Sequence, residues 1–285
     1  MKRAIFFSLC LCASTLLWSQ TTYEQYVEQA IALAEADSLE QAEECFKQAL
    51  KLAPKDYRNA LVFNNLGRVQ EKMYWKNPKN HQLADRALEN YTLALGLTPT
   101  SVPMLEARAS FYLKLSNYSR ALMDYTTILD VASNNIEARN YRAYCYAQLR
   151  RYDEAKADYQ RILAQDANNY SALLGLAVLL QNTQKLQEAI EHASALITIY
   201  PDKAELYSVR AAMYAEHNQP ELALMDLDKA VELDSTNMNY VLARAYLYQQ
   251  QGNNHRAKQD FDRAIELGMP AQMLKKERKS THRTP

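Results

Sequence analysis

Arginine and aspartate residues recur along the sequence in pairs that are 16 positions apart. The pairs are Arg108 with Asp124, Arg142 with Asp158, Arg210 with Asp226, and Arg244 with Asp260. Two kinds of chemistry suit such residues: a row of guanidinium groups that binds an anionic ligand, or an ion pair within each segment. Where the corresponding positions elsewhere in the chain lack the arginine, they also lack the aspartate, as at Leu176 with His192. Because a partly buried arginine is unfavourable unless it is paired, we expect four structural ion pairs.

Residues that commonly carry catalysis do not form a recognisable motif in this sequence. The five histidines are His81, His192, His217, His255 and His282, and no two of them stand four positions apart. No HExxH zinc motif, GxSxG elbow or glycine-rich phosphate loop is present. We therefore predict no catalytic residue, no cofactor and no metal site. An enzyme, or an enzyme regulator, whose site is assembled from distant residues is the alternative.

Charge and glycine content narrow the choice of fold and partner. The chain has 33 basic and 33 acidic residues, so no overall field attracts nucleic acid, and we expect no nucleic-acid partner. Five glycines among 285 residues are few for the tight turns of a β-rich fold.

Residues 1–19 have the layout of a secretory signal peptide. Lys2 and Arg3 precede an apolar run from Ala4 to Leu17, and cleavage is expected after Ser19. The run is too short for a bilayer core, which needs about 20 apolar residues. We expect an exported protein of the periplasm or cell envelope, or a secreted one, with no stable membrane insertion after cleavage. Retention of the segment as an anchor is the alternative.

A period of 34 residues organises the rest of the chain. It is marked by alanines in constant register: Ala87, Ala121, Ala155, Ala189, Ala223 and Ala257. Upstream of them, residues such as Arg139, Arg142, Ala143 and Tyr146 occupy helical i, i+3, i+4 and i+7 positions of an amphipathic stripe. A period of this size predicts stacked supersecondary units. Cys45 and Cys145 would then lie several units apart, so we expect two free, mostly buried thiols.

The pattern resembles the tetratricopeptide repeat, a pair of antiparallel helices with small residues at places 8, 20 and 27. Ala143 and Ala155 occupy places 8 and 20 of one repeat, and Pro54, Pro99 and Pro201 stand at place 32, where the second helix ends. The resemblance implies an all-α fold, an α-α superhelix built as a solenoid of helix pairs. Tyr91, Tyr125 and Tyr159 at place 24 are expected to pack in its core.

The 34-residue period and the places within each repeat, which we call the frame, predict seven repeats within residues 20–269. Their ranges are 23–56, 60–101, 102–135, 136–169, 170–203, 204–237 and 238–269, and the second contains an insert at residues 75–82. We expect fourteen helices and short connections, except for a longer one near the insert. Residues 270–285 are expected to form a capping helix and a basic tail.

The resemblance also implies a site. In this family, ligand contacts tend to come from places 2, 5, 9 and 12 or 13 of the first helices. The predicted peptide groove comprises Asn64, Arg68, Asn140, Tyr144, Gln148, Leu174, Val178, Gln181, Tyr246 and Gln249. Tyr144, Leu174, Val178 and Tyr246 are the expected apolar anchors. Trp75, in the insert, is a possible secondary contact because tryptophan is enriched at binding hot spots.

These observations favour an exported, non-enzymatic scaffold that binds a protein or peptide partner in the groove of its superhelix. A chaperone-like accessory factor for the assembly of an envelope or secretion complex is the alternative.

Overall fold

The computed structural model describes residues 21–270, and these residues form α-helices without a single strand. The predicted signal peptide and the predicted capping helix and tail beyond residue 270 lie outside the described residues. Within the described part, no helix is both long and apolar enough to cross a membrane.

The helices fall into two compact units, divided between Arg108 and Ala109. The first contains α1 (Tyr23–Glu35), α2 (Leu39–Leu52), α3 (Asn59–Lys76), α4 (His81–Leu97) and the start of α5 (Val102–Lys114). The second contains the end of α5, then α6 (Tyr118–Val131), α7 (Ile136–Gln148), α8 (Tyr152–Leu163), α9 (Tyr170–Asn182), α10 (Leu186–Ile199), α11 (Ala204–Glu216), α12 (Pro220–Leu233), α13 (Met238–Gln250) and α14 (Asn254–Glu266). The described part therefore has the fourteen helices that the frame predicts.

Within each unit, consecutive helices pack on one another, as α1, α2, α3 and α4 do in the first and α6 through α14 do in the second. First helices of neighbouring pairs also touch, since α7 contacts α9 and α9 contacts α11. Stacked helix pairs of this kind confirm the predicted all-α fold class.

The turn inside each helix pair of the second unit uses one left-handed residue. Ser116, Arg150, Gln184, Asn218 and Gly252 have φ between 56° and 76°, and each is 34 residues after the last. The backbone N–H of the following residue donates to a carbonyl oxygen of the helix that has just ended. The N–H of Arg151, for example, donates to the carbonyl oxygen of Tyr146 at 2.8 Å. This bond satisfies a carbonyl that the helix end leaves free.

Asparagines begin several of the first helices. Asn135, Asn169 and Asn237 are the N-caps of α7, α9 and α13, and each side chain accepts a hydrogen bond from a backbone N–H in the first turn. Such a cap satisfies one of the amides that the helix start leaves unpaired. The caps thus fix where α7, α9 and α13 start.

The insert in the second repeat lengthens helices instead of forming a long loop. α3 has 18 residues and α4 has 17, and only residues 77–80 connect them. The expectation of a longer connection near residues 75–82 is therefore wrong. Trp75 belongs to the last turn of α3, and Asn80 stands at the N-cap of α4 without a side-chain capping bond.

The alanines of constant register lie in the core. Ala87, Ala121, Ala155, Ala189 and Ala223 have no exposed surface, and Ala257 is 3% exposed. Tyr91, Tyr125 and Tyr159 are buried as well. Because a small side chain lets two helices approach closely, a larger residue at an alanine position would overpack the contact.

Three of the predicted ion pairs form in the second unit. The guanidinium of Arg142 donates to both carboxylate oxygens of Asp158 at 2.7 Å. Arg210 and Arg244 make the same forked contact with Asp226 and Asp260, at 2.7 and 2.8 Å. These pairs confirm the structural interpretation. The pair of Arg108 with Asp124 stays a prediction.

A polar chain takes the place of the ion pair in the second repeat. The amide of Asn90 donates to Gln70 at 2.8 Å, and the amide of Gln70 donates to the Glu43 carboxylate at 3.0 Å. Lys47 pairs with the same carboxylate at 2.9 Å. Since Gln70 is 1% exposed, this chain satisfies polar groups that would otherwise be buried without partners.

Candidate functional site

A groove of about 410 Å³ lies between α7 and α9 of the second unit, with contributions from the ends of α5 and α11. We call it the α7–α9 groove. Its lining comprises Leu113, Asn140, Tyr141, Tyr144, Ala147, Gln148, Tyr159, Tyr170, Ser171, Leu174, Gly175, Val178, Leu179, Asn182 and Glu205. The lining is mostly aromatic and aliphatic, with amides at intervals, which is the usual character of a ligand site.

Half of the predicted site residues meet in this groove. Asn140, Tyr144 and Gln148 follow one another at i+4 spacing on α7, while Leu174 and Val178 do so on α9. Residues four apart share a helix face, so two facing stripes form the walls.

Rings from α6 hold the aromatic wall on α7 in place. Tyr141 stacks on Tyr125 with ring centroids 5.3 Å apart, and Tyr144 meets Tyr118 edge-on at 6.0 Å. Burial, together with Tyr118, raises the pKa of Tyr144. Both rings nevertheless expose part of their surface, 38% for Tyr141 and 42% for Tyr144. The wall is therefore positioned before any ligand arrives.

The floor of the groove depends on Gly175. A Cβ atom at this position would lie 2.3 Å from Cζ of Tyr159, far inside contact distance. Only glycine allows the Tyr159 ring to lie against α9 here. The ring comes from α8, and its burial raises the pKa of Tyr159 to about 12. A core tyrosine thus becomes part of the lining.

The side of α9 that faces α11 carries two hydrogen bonds in parallel register. The Tyr170 hydroxyl donates to Glu205 at 3.0 Å, and the Gln181 amide donates to Glu216 at 2.8 Å. Each bond joins residues 35 positions apart, so α9 and α11 run in the same direction. Burial and the Glu205 hydrogen bond raise the pKa of Tyr170. Gln181, a predicted site residue, is engaged with Glu216 and does not line the groove.

Asn140 contributes an unsatisfied acceptor. Its Oδ1 atom is buried and has no hydrogen-bond partner among the described residues. A buried polar atom without a partner costs about 1–3 kcal/mol. A ligand N–H that reached this oxygen would recover that free energy.

The remaining predicted residues of the second unit lie elsewhere. The Tyr246 ring packs edge-on against Phe261 at 5.2 Å, beside the core cluster of the last helix pair. Neither Tyr246 nor Gln249 lines the α7–α9 groove. The contact with Phe261 gives Tyr246 a packing role in the last helix pair.

The first unit holds Asn64, Arg68 and Trp75. Arg68 lines a cavity of about 190 Å³ together with Ile31, Glu35, Phe46 and Lys72. Asn64 presents a second buried Oδ1 atom without a partner in the described part of the chain. Trp75 is 43% exposed and meets Tyr74 edge-on at 5.0 Å. These three residues therefore belong to surfaces of their own unit.

Several residues of the α7–α9 groove were not predicted from the sequence, and six of them carry its aromatic, polar and close-packing features. These six are Tyr141, Tyr159, Tyr170, Ser171, Gly175 and Glu205. Ser171 and Glu205 occupy place 2, which was among the expected places, so the frame itself contained that signal. Gly175 was detectable as a glycine inside a helix of a glycine-poor chain. The contribution of Tyr159 required knowledge of the packing above Gly175.

Chemistry beyond binding has little support in the described residues. No group of three histidine, cysteine or acidic side chains within residues 21–270 is arranged to hold a metal ion. Cys45 and Cys145 are free thiols, as predicted. Burial raises the pKa of Cys145 to about 12, so its nucleophilic thiolate form is scarce at neutral pH.

Family comparisons agree with the repeat architecture. Models described as tetratricopeptide repeat match residues 24–56, 106–170, 149–213 and 239–267. These ranges together cover more than half of the sequence. The chain belongs to the tetratricopeptide-repeat family. Among curated proteins, no sequence matches it significantly.

Solved structures that are similar to this chain include a tetratricopeptide repeat protein from Parabacteroides merdae, with 28% sequence identity and a TM-score of 0.77. That match covers 89% of this chain and 96% of the other. YrrB, described as a TPR protein with an unusual peptide-binding site, is 21% identical, with a TM-score of 0.47 over 71% of this chain and 98% of its own. MamA from Desulfovibrio magneticus is 19% identical, with a TM-score of 0.46 over 58% and 94%. The Parabacteroides protein therefore shares the tetratricopeptide-repeat fold over most of this chain.

Proposed function

We propose that this protein is an exported, non-enzymatic scaffold that binds a segment of a partner protein in the α7–α9 groove. Membership of a family of protein-interaction repeats supports the general class. The specific site rests on one observation: two helix stripes with apolar and amide side chains flank a buried Asn140 oxygen that lacks a donor. An extended peptide supplies both apolar side chains and backbone N–H groups, so it fits this lining.

To test the groove, two double variants are each cross-linked to their partners in the native compartment, and the captured partners are compared. Tyr144→Ala with Leu174→Ala removes two side chains from the groove. Met123→Ala with Met225→Ala removes two that are 69% and 67% exposed on second helices outside it. We expect the first variant to lose a partner that the wild type and the second variant both cross-link.

Equal capture by both variants would contradict the α7–α9 groove as the site. A single recurrent partner supports the scaffold, whereas many unfolded clients captured in the same way would favour the chaperone-like alternative. Circular dichroism of each variant checks that helicity is kept, so that a loss of capture reflects the groove and not unfolding.

Export is the second part of the proposal, and it rests on the charge and hydropathy layout of residues 1–19. We expect the protein in the envelope or extracellular fraction, with a mature N-terminus that follows Ser19. Fractionation with N-terminal sequencing measures both. A chain that keeps residues 1–19 would support the anchor alternative, and a cytoplasmic chain would contradict export.

A further inference from the structure

We infer that the α7–α9 groove selects a peptide segment that carries an arginine or lysine, with its cation seated at Glu205. This inference rests on the proposed function and specifies the chemistry of the partner. It starts from the charges in the groove. Among the lining residues, which all lie in the described second unit, Glu205 is the only charged side chain, and none is lysine, arginine or histidine.

Glu205 is exposed and retains an unused oxygen. Its Oε2 atom accepts the Tyr170 hydroxyl at 3.0 Å, while Oε1 has no hydrogen-bond partner among residues 21–270. A carboxylate fixed on one oxygen presents the other in a defined direction. A guanidinium or ammonium group would make a charge-assisted hydrogen bond there, which is stronger than a neutral one.

The Tyr170 ring, whose hydroxyl holds Glu205, already has a cation of the chain beside it. Aromatic faces attract cations within about 6 Å of the ring centre. Lys203 already places its Nζ atom 5.9 Å from the Tyr170 centroid, although it is not part of the groove lining. The Tyr200 ring also packs edge-on against Tyr170, with centroids 5.3 Å apart. Since Lys203 and Tyr200 already neighbour this ring, the seat for a ligand cation is the Glu205 carboxylate.

Spacing along α9 predicts the neighbours of that cation. Tyr170, Leu174 and Val178 are four residues apart, so they succeed one another at about 6 Å along the helix. Alternate side chains of an extended peptide lie on one face about 6–7 Å apart. A segment that runs along α9 with its cation at Glu205 therefore places apolar residues two and four positions away, opposite Leu174 and Val178.

The experiment selects binders from a displayed library of random peptides on the immobilised, purified protein. We expect enriched sequences to carry arginine or lysine two positions from an apolar residue. Glu205→Arg should remove this preference and favour aspartate or glutamate. Glu137→Arg is the matched control, because Glu137 holds the same place in an earlier repeat and lies outside the groove lining.

A selected peptide is then synthesised with its cationic residue or with norleucine in its place. Fluorescence anisotropy should show about tenfold weaker binding of the norleucine peptide to the wild type, which corresponds to about 1.4 kcal/mol. The two peptides should bind Glu205→Gln alike, while Glu137→Gln should keep the difference.

The outcomes separate this inference from the proposed function. Apolar peptides enriched without a cation, and lost with Tyr144→Ala, would overturn the cation preference but leave the groove as a peptide site. Enrichment of acidic peptides by the wild type would also overturn it. Failure to enrich any sequence, or enrichment that is unaffected by Tyr144→Ala, would overturn both.

Discussion

Asp158 is the clearest case of a charged group held inside a helix pair. Its side chain is 5% exposed, and it accepts hydrogen bonds from Arg142, whose side chain is 16% exposed. Arg139 approaches the same carboxylate at 3.5 Å. Removal of the carboxylate would leave two guanidinium groups close together in a largely dry site, which is far less favourable than the intact network.

Asp158→Ala should therefore lower the free energy of unfolding by about 3 kcal/mol. Urea denaturation followed by circular dichroism measures the change. Glu154→Ala is the control on the same helix, because its pair with Arg151 is about half exposed, with side-chain exposures of 45% and 47%. That variant should lose less than about 1 kcal/mol. Equal losses in the two variants would contradict a structural role for the Arg142 pair.

Glu43 gives the first unit a sensitivity to acid. Burial raises the pKa of this carboxyl, but hydrogen bonds from Gln70 and Lys47 outweigh burial, and the net pKa is lowered. A lowered pKa means that the ionised form is favoured by folding. Its contribution to stability is present above the unfolded-state pKa and is lost as the pH falls through the folded-state value.

We expect Glu43→Gln to be less stable than the wild type at pH 7, since a neutral amide replaces a carboxylate that Gln70, Lys47 and Arg86 contact. The gap in melting temperature should narrow below about pH 4.5, where unfolded glutamate takes up its proton. Glu40→Gln, at an exposed site on the same helix, serves as the control. A gap that stays constant from pH 7 to low pH would show that Glu43 does not act through its charge.

At the scale of helices and turns, the recurring feature is the left-handed residue that ends each first helix of the second unit. Four of these five positions carry a side chain, and only Gly252 avoids the strain that L residues meet at positive φ. The alternative ways to end a helix would alter the angle at which the next helix leaves. The backbone geometry of the turn therefore outweighs residue preference at these positions.

The same substitution should have opposite effects at two glycines. A Cβ at Gly252 or at Gly96 would meet no described atom within 4 Å, so neither change causes a steric clash. Gly252→Ala should nevertheless destabilise by about 1 kcal/mol, because its φ of 76° is unfavourable for alanine. Gly96→Ala, inside α4, should stabilise by up to about 1 kcal/mol. The melting temperatures of both variants measure these effects. Changes of the same sign in the two variants would contradict a role for the backbone angle at Gly252.

Sequence reasoning reached the features that repeat and missed those that arise from one contact. Ala155, the Arg142–Asp158 pair and the stripe of Asn140, Tyr144 and Gln148 follow from a frame that fixes each residue's place. The floor made by Gly175 and Tyr159 depends on how two helices meet, which no single position encodes. The length of α3 and α4 was also missed, since an insert between two helices can extend either helix or the connection.

At the scale of the molecule, stability in the second unit is distributed along an array of helix pairs. The main helix contacts of the second unit join consecutive helices, and α9 also contacts α7 and α11. Energetic effects in such an array spread mainly to adjacent repeats. The neutral overall charge, with 33 basic and 33 acidic residues, also means that no long-range field couples distant parts.

Ala155→Leu tests this locality. Ala155 has no exposed surface, so four-carbon leucine should overpack α8 and cost about 1–3 kcal/mol. Hydrogen–deuterium exchange should report faster exchange in α7, α8 and α9, while α13 and α14 keep their protection. Uniform acceleration across the second unit would indicate a single cooperative block instead of an array.

Repetition also creates an ambiguity that the first unit resolves. A chain of similar helix pairs can dock one pair too early or too late, or against a second molecule, because every surface resembles the next. The hydrogen-bonded link from Glu43 to Gln70 and Asn90 occurs at one junction only of the described chain. Gln70 stands at place 11 of the second repeat, and that place carries tyrosine or leucine in the other repeats. A slipped stack would bury Glu43 without its amide partner. The longer α3 and α4 helices would likewise protrude from a slipped stack. We therefore expect this junction to disfavour misregistered docking of the helix pairs within the first unit.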